Sequence, residues 1–245
     1  EPPTEDKLRP YQIAVLDHWE KNLRHGLVEH ATGTGKTWTA IFALKRHLKT
    51  NQTGLIIVPS DLLQKQWSEE VKFLIPNASI LHVGGEFKTW KTELGKFSKP
   101  DTSDSPKIII AIINSVCSDA FLEKIHDGDD LMLIIDEVHR AGSNHFSKVF
   151  TINSGARLGL SATPKRYGDP LGTQKIYDYF KNKLEPIILL KDVIGDALVP
   201  YQYFPKRCYL SEEELDKWDE FTKKISKAYA TSPSKNGKKI PSDYF

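Results

Sequence analysis

Short, uninterrupted apolar runs separated by amphipathic segments are the feature that most constrains the fold of this chain. Continuous apolar runs are typical of strands covered on both faces, and strands that alternate with helices favour a parallel sheet. The sequence therefore predicts a three-layer α/β domain with a central, mostly parallel sheet. The candidate strands are Leu55–Val58, Ile80–Val83, Ile108–Ile113, Leu131–Ile135 and Arg157–Leu160.

Helix start signals and apolar spacing predict where helices flank these strands. Pro10 suits the first turn of a helix whose apolar side chains are Ala14, Val15, Trp19 and Leu23. Ser60 is a candidate N-cap for a second helix, with an apolar stripe at Leu63, Trp67, Val71 and Leu74. That stripe favours a core position for Trp67 over stacking on a nucleic-acid base.

Composition excludes several classes of protein. Hydrophobic residues make up 39% of the chain and charged residues 27%, which is too apolar for a disordered protein. No apolar run approaches the ~20 residues that cross a bilayer, so we predict no membrane partner and an intracellular location, cytoplasmic or, in a eukaryote, nuclear. The 2 cysteines are too few for a usual zinc site and suit a reducing compartment. With a net charge of only +2, any nucleic-acid binding must come from locally placed residues.

The sequence ATGTGKT at residues 31–37 predicts a phosphate-binding loop. Gly33 and Gly35 allow the backbone to curl so that successive amides face phosphate oxygens. Lys36 supplies a cation for the β- and γ-phosphates, and the Thr37 hydroxyl is a candidate Mg²⁺ ligand. One departure is His30, which stands where the strict pattern has glycine. The predicted phosphate-binding residues are Thr32, Gly33, Thr34, Gly35, Lys36 and Thr37.

Two adjacent carboxylates, Asp136 and Glu137, follow the candidate strand Leu131–Ile135. Ligands of open parallel sheets bind at the carboxyl ends of strands, so this pair is well placed for chemistry. Asp136 is predicted to hold Mg²⁺, and Glu137 to orient and deprotonate an attacking water. Such a pair alone often only caps the next helix, but downstream of a P-loop lysine it indicates phosphoryl transfer. The predicted catalytic residues are Lys36, Asp136 and Glu137.

Taken together, these segments resemble the first RecA-like lobe of superfamily 2 helicases and translocases. They occur in the family's order over residues 8–166. The stretch Arg157–Tyr167 followed by Leu198–Ile225 is most similar to the branch with restriction-enzyme motor subunits, DNA-repair translocases and phage-defence helicases. The matching segments are Arg9–Gln12 (glutamine motif), residues 31–37 (motif I), Val58–Ser60 with Leu63, Gln66 and Trp67 (motif Ia), Gly84–Gly85 (glycine pair), Asp136–His139 (motif II, DEVH) and Ser161–Pro164 (motif III).

The resemblance implies roles for further residues, with ATP and Mg²⁺ as cofactors. Adenine would be recognised by Arg9 and Gln12. His139, Ser161 and Thr163 would couple the state of the nucleotide to the nucleic acid and to a second lobe, and short hydroxyls after a strand can bond the motif II carboxylates. One departure, Ile112 in place of a threonine, removes a hydroxyl contact. The implied nucleic-acid contacts are Pro59, Ser60, Gln64, Gly84, Gly85, Asn114 and Ser115.

The domain organisation predicted is a lead-in at residues 1–7, the RecA-like lobe at 8–200, a strand and helix at 201–229 leading toward an absent second lobe, and a linker at 230–245. Ser211–Glu214 is a capping box that starts the predicted helix. Lys235, Lys238 and Lys239 are candidate phosphate contacts within the linker, where a solvated linker is the simpler interpretation. The chain lacks a starting methionine and opens on a polar stretch, which predicts a piece of a longer protein. After Thr163 it has no Gln-x-x-Gly-Arg-x-x-Arg pattern of the kind that the second lobe of this family carries, so we expect this piece alone to hydrolyse ATP barely.

We therefore predict the ATP-binding motor lobe of an ATP-dependent DNA helicase or translocase, whose partners are nucleic acid and a second RecA-like lobe. An RNA helicase lobe and a nucleotide-dependent interaction module without motor activity are the alternatives. Translocation polarity, strand preference, biological pathway, fused domains and oligomeric state do not follow from the sequence.

Overall fold

A computed structural model describes residues 2–48, 52–100, 105–195, 198–200 and 202–231. Within these ranges the strands form one sheet with the order β3-β4-β2-β5-β6-β1-β7, in which every pair of neighbours is parallel. The predicted α/β fold with a parallel sheet is therefore confirmed. The strands are β1 His25–His30, β2 Thr53–Val58, β3 Ser79–Val83, β4 Lys107–Ile112, β5 Gly128–Ile135, β6 Ser154–Ser161 and β7 Lys183–Ile188.

Parallel strands need crossover connections, and here helices connect successive strands except β5 and β6, which are joined by 3₁₀ turns. The helices are α1 Pro10–Lys21, α2 Lys36–His47, α3 Asp61–Leu74, α4 Trp90–Phe97, α5 Ile113–Val116, α6 Asp119–Leu122, α7 Pro170–Phe180, α8 Leu190–Val193 and α9 Glu212–Thr231. Short 3₁₀ turns occur at Glu5–Lys7, Val138–Gly142 and Phe146–Thr151. Among the described residues, none of the helices is at once long and apolar enough to cross a membrane.

The central strand β2 shows why the apolar runs become the middle of the sheet. It pairs with β4 on one side and β5 on the other, and all of its residues are buried. Alternate side chains of a strand point to opposite faces, so Ile56 and Val58 pack in one core cluster and Leu55 and Ile57 in the other. A strand buried on both faces has no polar side, which is why it reads as an uninterrupted apolar run.

The edge strand β7 and the preceding helix α7 were not predicted. β7 pairs only with β1 among the described strands, and its sequence begins Lys-Leu-Glu-Pro. Proline cannot donate a hydrogen bond to a sheet ladder and is tolerated in edge strands. Because β7 also carries exposed charged residues, it lacks the continuous apolar run that identifies the central strands. α7 begins where the Asp169 side chain accepts a hydrogen bond from the Gly172 amide at 2.8 Å.

The predicted stripe of α1 was partly wrong. Val15 and Trp19 are buried, but Ala14 is exposed, and Leu23 lies beyond the end of the helix with 82% of its surface exposed. The helix ends at Lys21 with Asn22 as its C-cap, and Leu23 follows with a positive φ of 55°, so its side chain turns away from the stripe. The buried face includes Gln12 instead, a polar residue that the apolar spacing could not identify.

The chain divides into two compact units, at residues 1–199 and 200–245. In the second unit the predicted helix is confirmed as α9, and the capping box forms: the Ser211 amide donates to Glu214 Oε2 at 2.9 Å and the Glu214 amide to Ser211 Oγ at 3.3 Å. The predicted strand was wrong, because residues 202–210 have no regular secondary structure. The helix continues to Thr231, into the predicted linker, and Lys235, Lys238 and Lys239 lie outside the described residues.

We predict that the first unit loses stability in mild acid because of two buried histidines. His30 and His47 are 0% and 2% exposed, and burial lowers the pKa of both below the ordinary value of 6.5. The unfolded chain then binds protons more readily than the folded one. The free energy of unfolding should be at its full value above pH ~6.5 and fall as the pH drops through the lowered folded pKa values.

Urea unfolding at pH 7.5, 6.5 and 5.5 measures this dependence. In His47→Gln the free energy of unfolding should fall less steeply with decreasing pH than in the parent protein. The matched control His126→Gln removes an exposed histidine and should show the same dependence on pH as the parent protein. Equal slopes for the parent protein and His47→Gln would contradict the assignment to His47.

Candidate nucleotide-binding site

The site lies at the carboxyl edge of the sheet, where β1, β5 and β6 end side by side. Because these strands are parallel neighbours, the loops that follow them meet at this edge. The loop after β1 carries residues 31–35, the loop after β5 carries Asp136 and Glu137, and the loop after β6 carries Ala162 and Thr163. The fold thus brings together residues from positions 31 to 163 of the sequence.

The phosphate-binding loop has the backbone that its glycines predict. Gly33 and Gly35 have φ angles of 83° and 78°, in the left-handed region that side chains rarely adopt. Gly35 is the N-cap of α2, so the first turn of that helix presents its free amides toward the loop. The side chain of Thr34 is buried and donates to Ala31 O at 2.8 Å, so the contribution of Thr34 to a phosphate would come from its backbone.

The side chain of Lys36 is hydrogen-bonded to the start of this loop. Its Nζ donates to the carbonyl oxygens of His30 at 2.9 Å and Ala31 at 3.2 Å. Burial lowers the pKa of Lys36, and the nearby carboxylates of Glu137 and Asp136 act in the opposite direction. The ammonium group therefore lies in the field of both motif II carboxylates, as its predicted role beside nucleotide phosphates requires.

The side chain of Gln12 braces the loop from behind. It is 5% exposed, its Oε1 accepts from the Arg9 amide at 2.8 Å, and its Nε2 donates to Gly35 O at 3.0 Å and Thr39 Oγ1 at 3.1 Å. Both ends of the amide are thus engaged within the protein, and a Cβ on Gly35 would lie 2.8 Å from Nε2. Of the predicted adenine contacts, only Arg9 is exposed in this conformation.

Tyr11 supports the same loop and was not identified from the sequence as a site residue. Its hydroxyl donates to Thr34 O at 2.9 Å, and its ring meets the His30 ring edge-on, with the ring centroids 5.5 Å apart. The Arg9 guanidinium donates to the Tyr11 hydroxyl at 3.0 Å. The start of α1 therefore positions the backbone of the P-loop through two adjacent side chains.

Asp136 has both carboxylate oxygens engaged. Oδ1 accepts from the Glu137 amide and Oδ2 from the indole Nε1 of Trp67, each at 2.9 Å. The Asp136 amide donates to Ile57 O at 2.9 Å, which continues the parallel ladder beyond β5. Glu137 has a φ of 47°, an uncommon conformation for a residue other than glycine, and such residues often occur at active sites.

The donor set suits Mg²⁺ bound together with a nucleotide. Within the described ranges, no group of three or more His, Cys, Asp or Glu side chains could hold a metal by itself. Mg²⁺ is usually held by one or two carboxylates plus substrate phosphates and waters, rather than by an all-protein cage. The hard oxygen donors Asp136 and Thr37 at the phosphate-binding edge match that pattern.

His139 joins motif II to motif III. Its Nδ1 lies 3.3 Å from Glu137 Oε2 and 3.3 Å from Ser161 Oγ. Ser161 Oγ also accepts from the Thr163 amide at 3.1 Å, and the Thr163 side chain is exposed. We expected the hydroxyls to bond the carboxylates directly. Instead, the described geometry places His139 between Ser161 and Glu137.

Arg166 fastens the motif II turn to α7. Its guanidinium donates to His139 O through Nη1 and to Asp169 Oδ2 through Nε, the latter at 2.8 Å. Its amide donates to Thr173 Oγ1 at 3.0 Å. Arg157 is likewise engaged inside the lobe, where its Nη1 donates to Tyr179 O at 3.2 Å. Both arginines therefore serve the fold of this unit.

The residues predicted to contact nucleic acid follow β2, β3 and β4, which are also neighbours in the sheet. Ser60 caps α3 by accepting from the Leu63 amide at 3.4 Å. Gly84 and Gly85 have φ angles of 98° and 58°. A Cβ on Gly84 would lie 2.5 Å from Ser115 Oγ, and a Cβ on Gly85 would clash with Asp61. The loops after the three strands therefore touch, and we call Pro59, Ser60, Gly84, Gly85, Asn114 and Ser115 the rim.

Two of these residues are buried, namely Gly84 and, with its side chain bonded inside the protein, Gln64. It is 1% exposed, and its Nε2 donates to Ile110 O at 2.8 Å and Val83 O at 3.1 Å. In this position it ties the ends of β3 and β4 to α3 and has no surface to offer a nucleic acid. Asn114, in contrast, is exposed, and Ser115 is half-buried.

Two known proteins with similar sequences are named as putative helicases. The chain is 30% identical over 162 residues to the putative DNA 3'-5' helicase Rad25 of Halobacterium salinarum, covering 66% of this chain and 24% of the relative. It is 28% identical over 207 residues to the putative ATP-dependent RNA helicase L396 of Acanthamoeba polyphaga mimivirus, covering 80% and 34%. The chain thus spans about a quarter to a third of these relatives.

A solved structure with the same fold is the helicase domain of Pyrococcus furiosus Hef. The TM-score is 0.58 at 22% identity, over 78% of this chain and 39% of that one. The model of the family described as type III restriction enzyme, res subunit, matches residues 5–166. The resemblance to a superfamily 2 helicase lobe is confirmed by these matches. Since the family match covers more than half of the chain, the protein belongs to the type III restriction enzyme res-subunit family.

Proposed function

We propose that this chain is the ATP-binding and ATP-hydrolysing motor lobe of a longer helicase or translocase that moves on nucleic acid inside the cell. The observation that carries the proposal is the convergence at one sheet edge of the P-loop, which follows β1, with the carboxylate pair Asp136 and Glu137, which follows β5. A nucleotide-dependent interaction module would need the P-loop, but it would not need a carboxylate in contact with a histidine that also contacts a motif III serine.

The arrangement assigns a chemical task to each side chain. Lys36 and the amides at the start of α2 would bind the β- and γ-phosphates, and Thr37 and Asp136 would hold Mg²⁺, which neutralises charge on the phosphates. Glu137 would accept the proton of the attacking water. His139 contacts Glu137 directly, so it is placed to orient that carboxylate and to respond to Ser161.

The rim would contact the phosphate backbone of the nucleic acid. Its members are small or polar, and backbone amides and hydroxyls recognise phosphates without reading bases. Two exposed lysines lie beside it: Lys88 Nζ donates to Gly85 O at 2.9 Å, and Lys65 is 3.9 Å from Glu86 Oε1. Binding of this kind should be independent of sequence and weaken with salt.

DNA is the proposed track, with RNA as the alternative. The family is described as a restriction enzyme subunit, and the archaeal relative is named a DNA helicase. The mimivirus relative is named an RNA helicase, and this name is the observation that favours the alternative.

Lys36→Ala should weaken ATP binding by about 10- to 100-fold while the protein stays folded. The substitution removes a cation aimed at phosphate, and hydrogen bonds to charged groups are worth about 1.5–3 kcal/mol. Fluorescent-nucleotide titration and the melting temperature are measured together. Lys45→Ala, at the other end of α2, is the matched control. An affinity within threefold of the parent protein would exclude the P-loop assignment.

Glu137→Gln should separate binding from hydrolysis. The amide keeps the shape of the carboxylate but cannot accept a proton from water, and losing a general base costs about 10²–10⁴-fold in rate. In the full-length protein, ATP should bind as before while single-turnover phosphate release slows by that factor. Glu93→Gln removes an exposed carboxylate on α4 and should leave the rate unchanged. If Glu137→Gln turns over at the parent rate, another group is the base.

Nucleic-acid-stimulated phosphate release tests the whole proposal. Duplex DNA should stimulate the full-length protein more than RNA does, and less as salt is raised. Residues 1–245 alone should hydrolyse ATP barely and without stimulation by nucleic acid. An arginine finger from a second lobe contributes roughly 10³–10⁵ in rate. Arg157 and Arg166 cannot replace it, because they donate hydrogen bonds to backbone carbonyls within this lobe. RNA as the better activator would select the alternative. Fragment rates near those of the full-length protein would show that no second lobe is needed.

A further inference from the structure

The indole of Trp67 contacts the motif II aspartate from inside the core. Trp67 is 1% exposed, and its Nε1 donates to Asp136 Oδ2 at 2.9 Å. The indole N–H is the only polar group of a tryptophan side chain. A core tryptophan predicted only to fill space therefore makes its single side-chain hydrogen bond to a carboxylate at the nucleotide site.

This bond limits how the carboxylate can rotate. Oδ1 is held by the Glu137 amide and Oδ2 by the indole, so the plane of the carboxylate is set from both sides. Each oxygen keeps a further lone pair for another partner. The loss of side-chain entropy that fixes the orientation of Asp136 thus occurs when the protein folds, before a cation or nucleotide binds.

The indole itself cannot move easily. It packs in the core cluster that contains Val58, Val71 and Ile112, on the α3 side of the sheet. α3 is anchored at its start by the Ser60 cap and in its first turn by Gln64, which bonds to β3 and β4. A rigid aromatic ring on an anchored helix is a suitable support for a ligand that must keep one orientation.

We propose that Trp67 is a positioning residue that orients the Asp136 carboxylate for the divalent cation bound with the nucleotide. This rests on the proposed function of the site. Groups that orient a metal ligand through hydrogen bonds usually change metal affinity by 10- to 100-fold when they are removed. A purely structural indole would change only stability.

Trp67→Phe in the full-length protein removes the N–H and keeps an aromatic ring in the core. Mn²⁺ binding in the presence of ADP, followed by electron paramagnetic resonance, should weaken by about 10- to 100-fold, and ADP binding without metal should stay the same. The Mg²⁺ concentration that half-saturates ATP hydrolysis should rise by the same factor.

Trp19→Phe is the matched control. Trp19 is 0% exposed in the same core cluster, and its Nε1 donates to Arg157 O at 3.0 Å. Arg157 lies in the middle of β6, level with the first residue of β1, and so away from the carboxyl edge of the sheet. This variant loses an equivalent buried hydrogen bond and should lower the melting temperature without changing Mn²⁺ affinity. Equal Mn²⁺ affinities for Trp67→Phe and Trp19→Phe would overturn the inference.

A second replacement covers the case in which Trp67→Phe fails to fold. Benzothienylalanine at position 67 has a sulfur in place of the N–H and almost the same volume, so it removes the donor alone. It should also weaken Mn²⁺ binding, and parent-like affinity would overturn the inference. If the parent protein binds no Mn²⁺ with ADP, the proposed function fails together with the inference. If the parent protein binds Mn²⁺ with ADP and the variants at position 67 bind it equally well, the role of Trp67 is excluded and the proposed function stands.

Discussion

The parallel direction of every described strand pair is the constraint on which the rest of the structure depends. In a parallel sheet all carboxyl ends lie at one edge, and the helices that return the chain must cover the two faces. The seven strand ends therefore form one continuous line of loops. In one half of this line, the loops after β1, β5 and β6 carry the candidate nucleotide site, and in the other half the loops after β2, β3 and β4 carry the rim.

Buried polar side chains hold these loops in place. Gln12, Gln64 and Trp67 are each 5% exposed or less, and each donates to a backbone carbonyl or carboxylate at the carboxyl edge. Burying such groups is unfavourable unless they are hydrogen-bonded, so they specify one arrangement of the loops. In each case a helix whose buried face packs against the sheet also holds a loop at the carboxyl edge through one polar side chain.

The two halves of the edge share helix α3. Its N-cap Ser60 belongs to the rim, and two turns later Trp67 reaches Asp136. At ~1.5 Å per residue these positions are about 10 Å apart along one rigid element. On the other side, His139 connects Glu137 with Ser161, and Arg166 connects the same turn with α7. The site is therefore linked to its surroundings through side chains on separate elements.

The sequence by itself determined the central strands and the phosphate-binding loop. A strand buried on both faces must be apolar throughout, and a backbone with φ angles near 80° at two nearby positions favours glycine. Local patterns of this kind are visible without knowing the fold. The edge strand β7 was not visible, because a strand paired on one side needs no continuous apolar run. The stripe of α1 was wrong at Leu23, which lies beyond the end of the helix, and at Ala14, which lies within the helix but outside its buried face.

Only the tertiary structure decided what the polar side chains contact. From sequence, Gln12 and Gln64 were predicted to face ligands and Trp67 to fill the core, but hydrogen bonds between residues 19 to 69 positions apart place both glutamines inside the protein and Trp67 against Asp136. Residue type determines which hydrogen bonds a side chain can form. Its partner is determined by which strand ends become neighbours, and the sheet order β3-β4-β2-β5-β6-β1-β7 is not written in any local pattern.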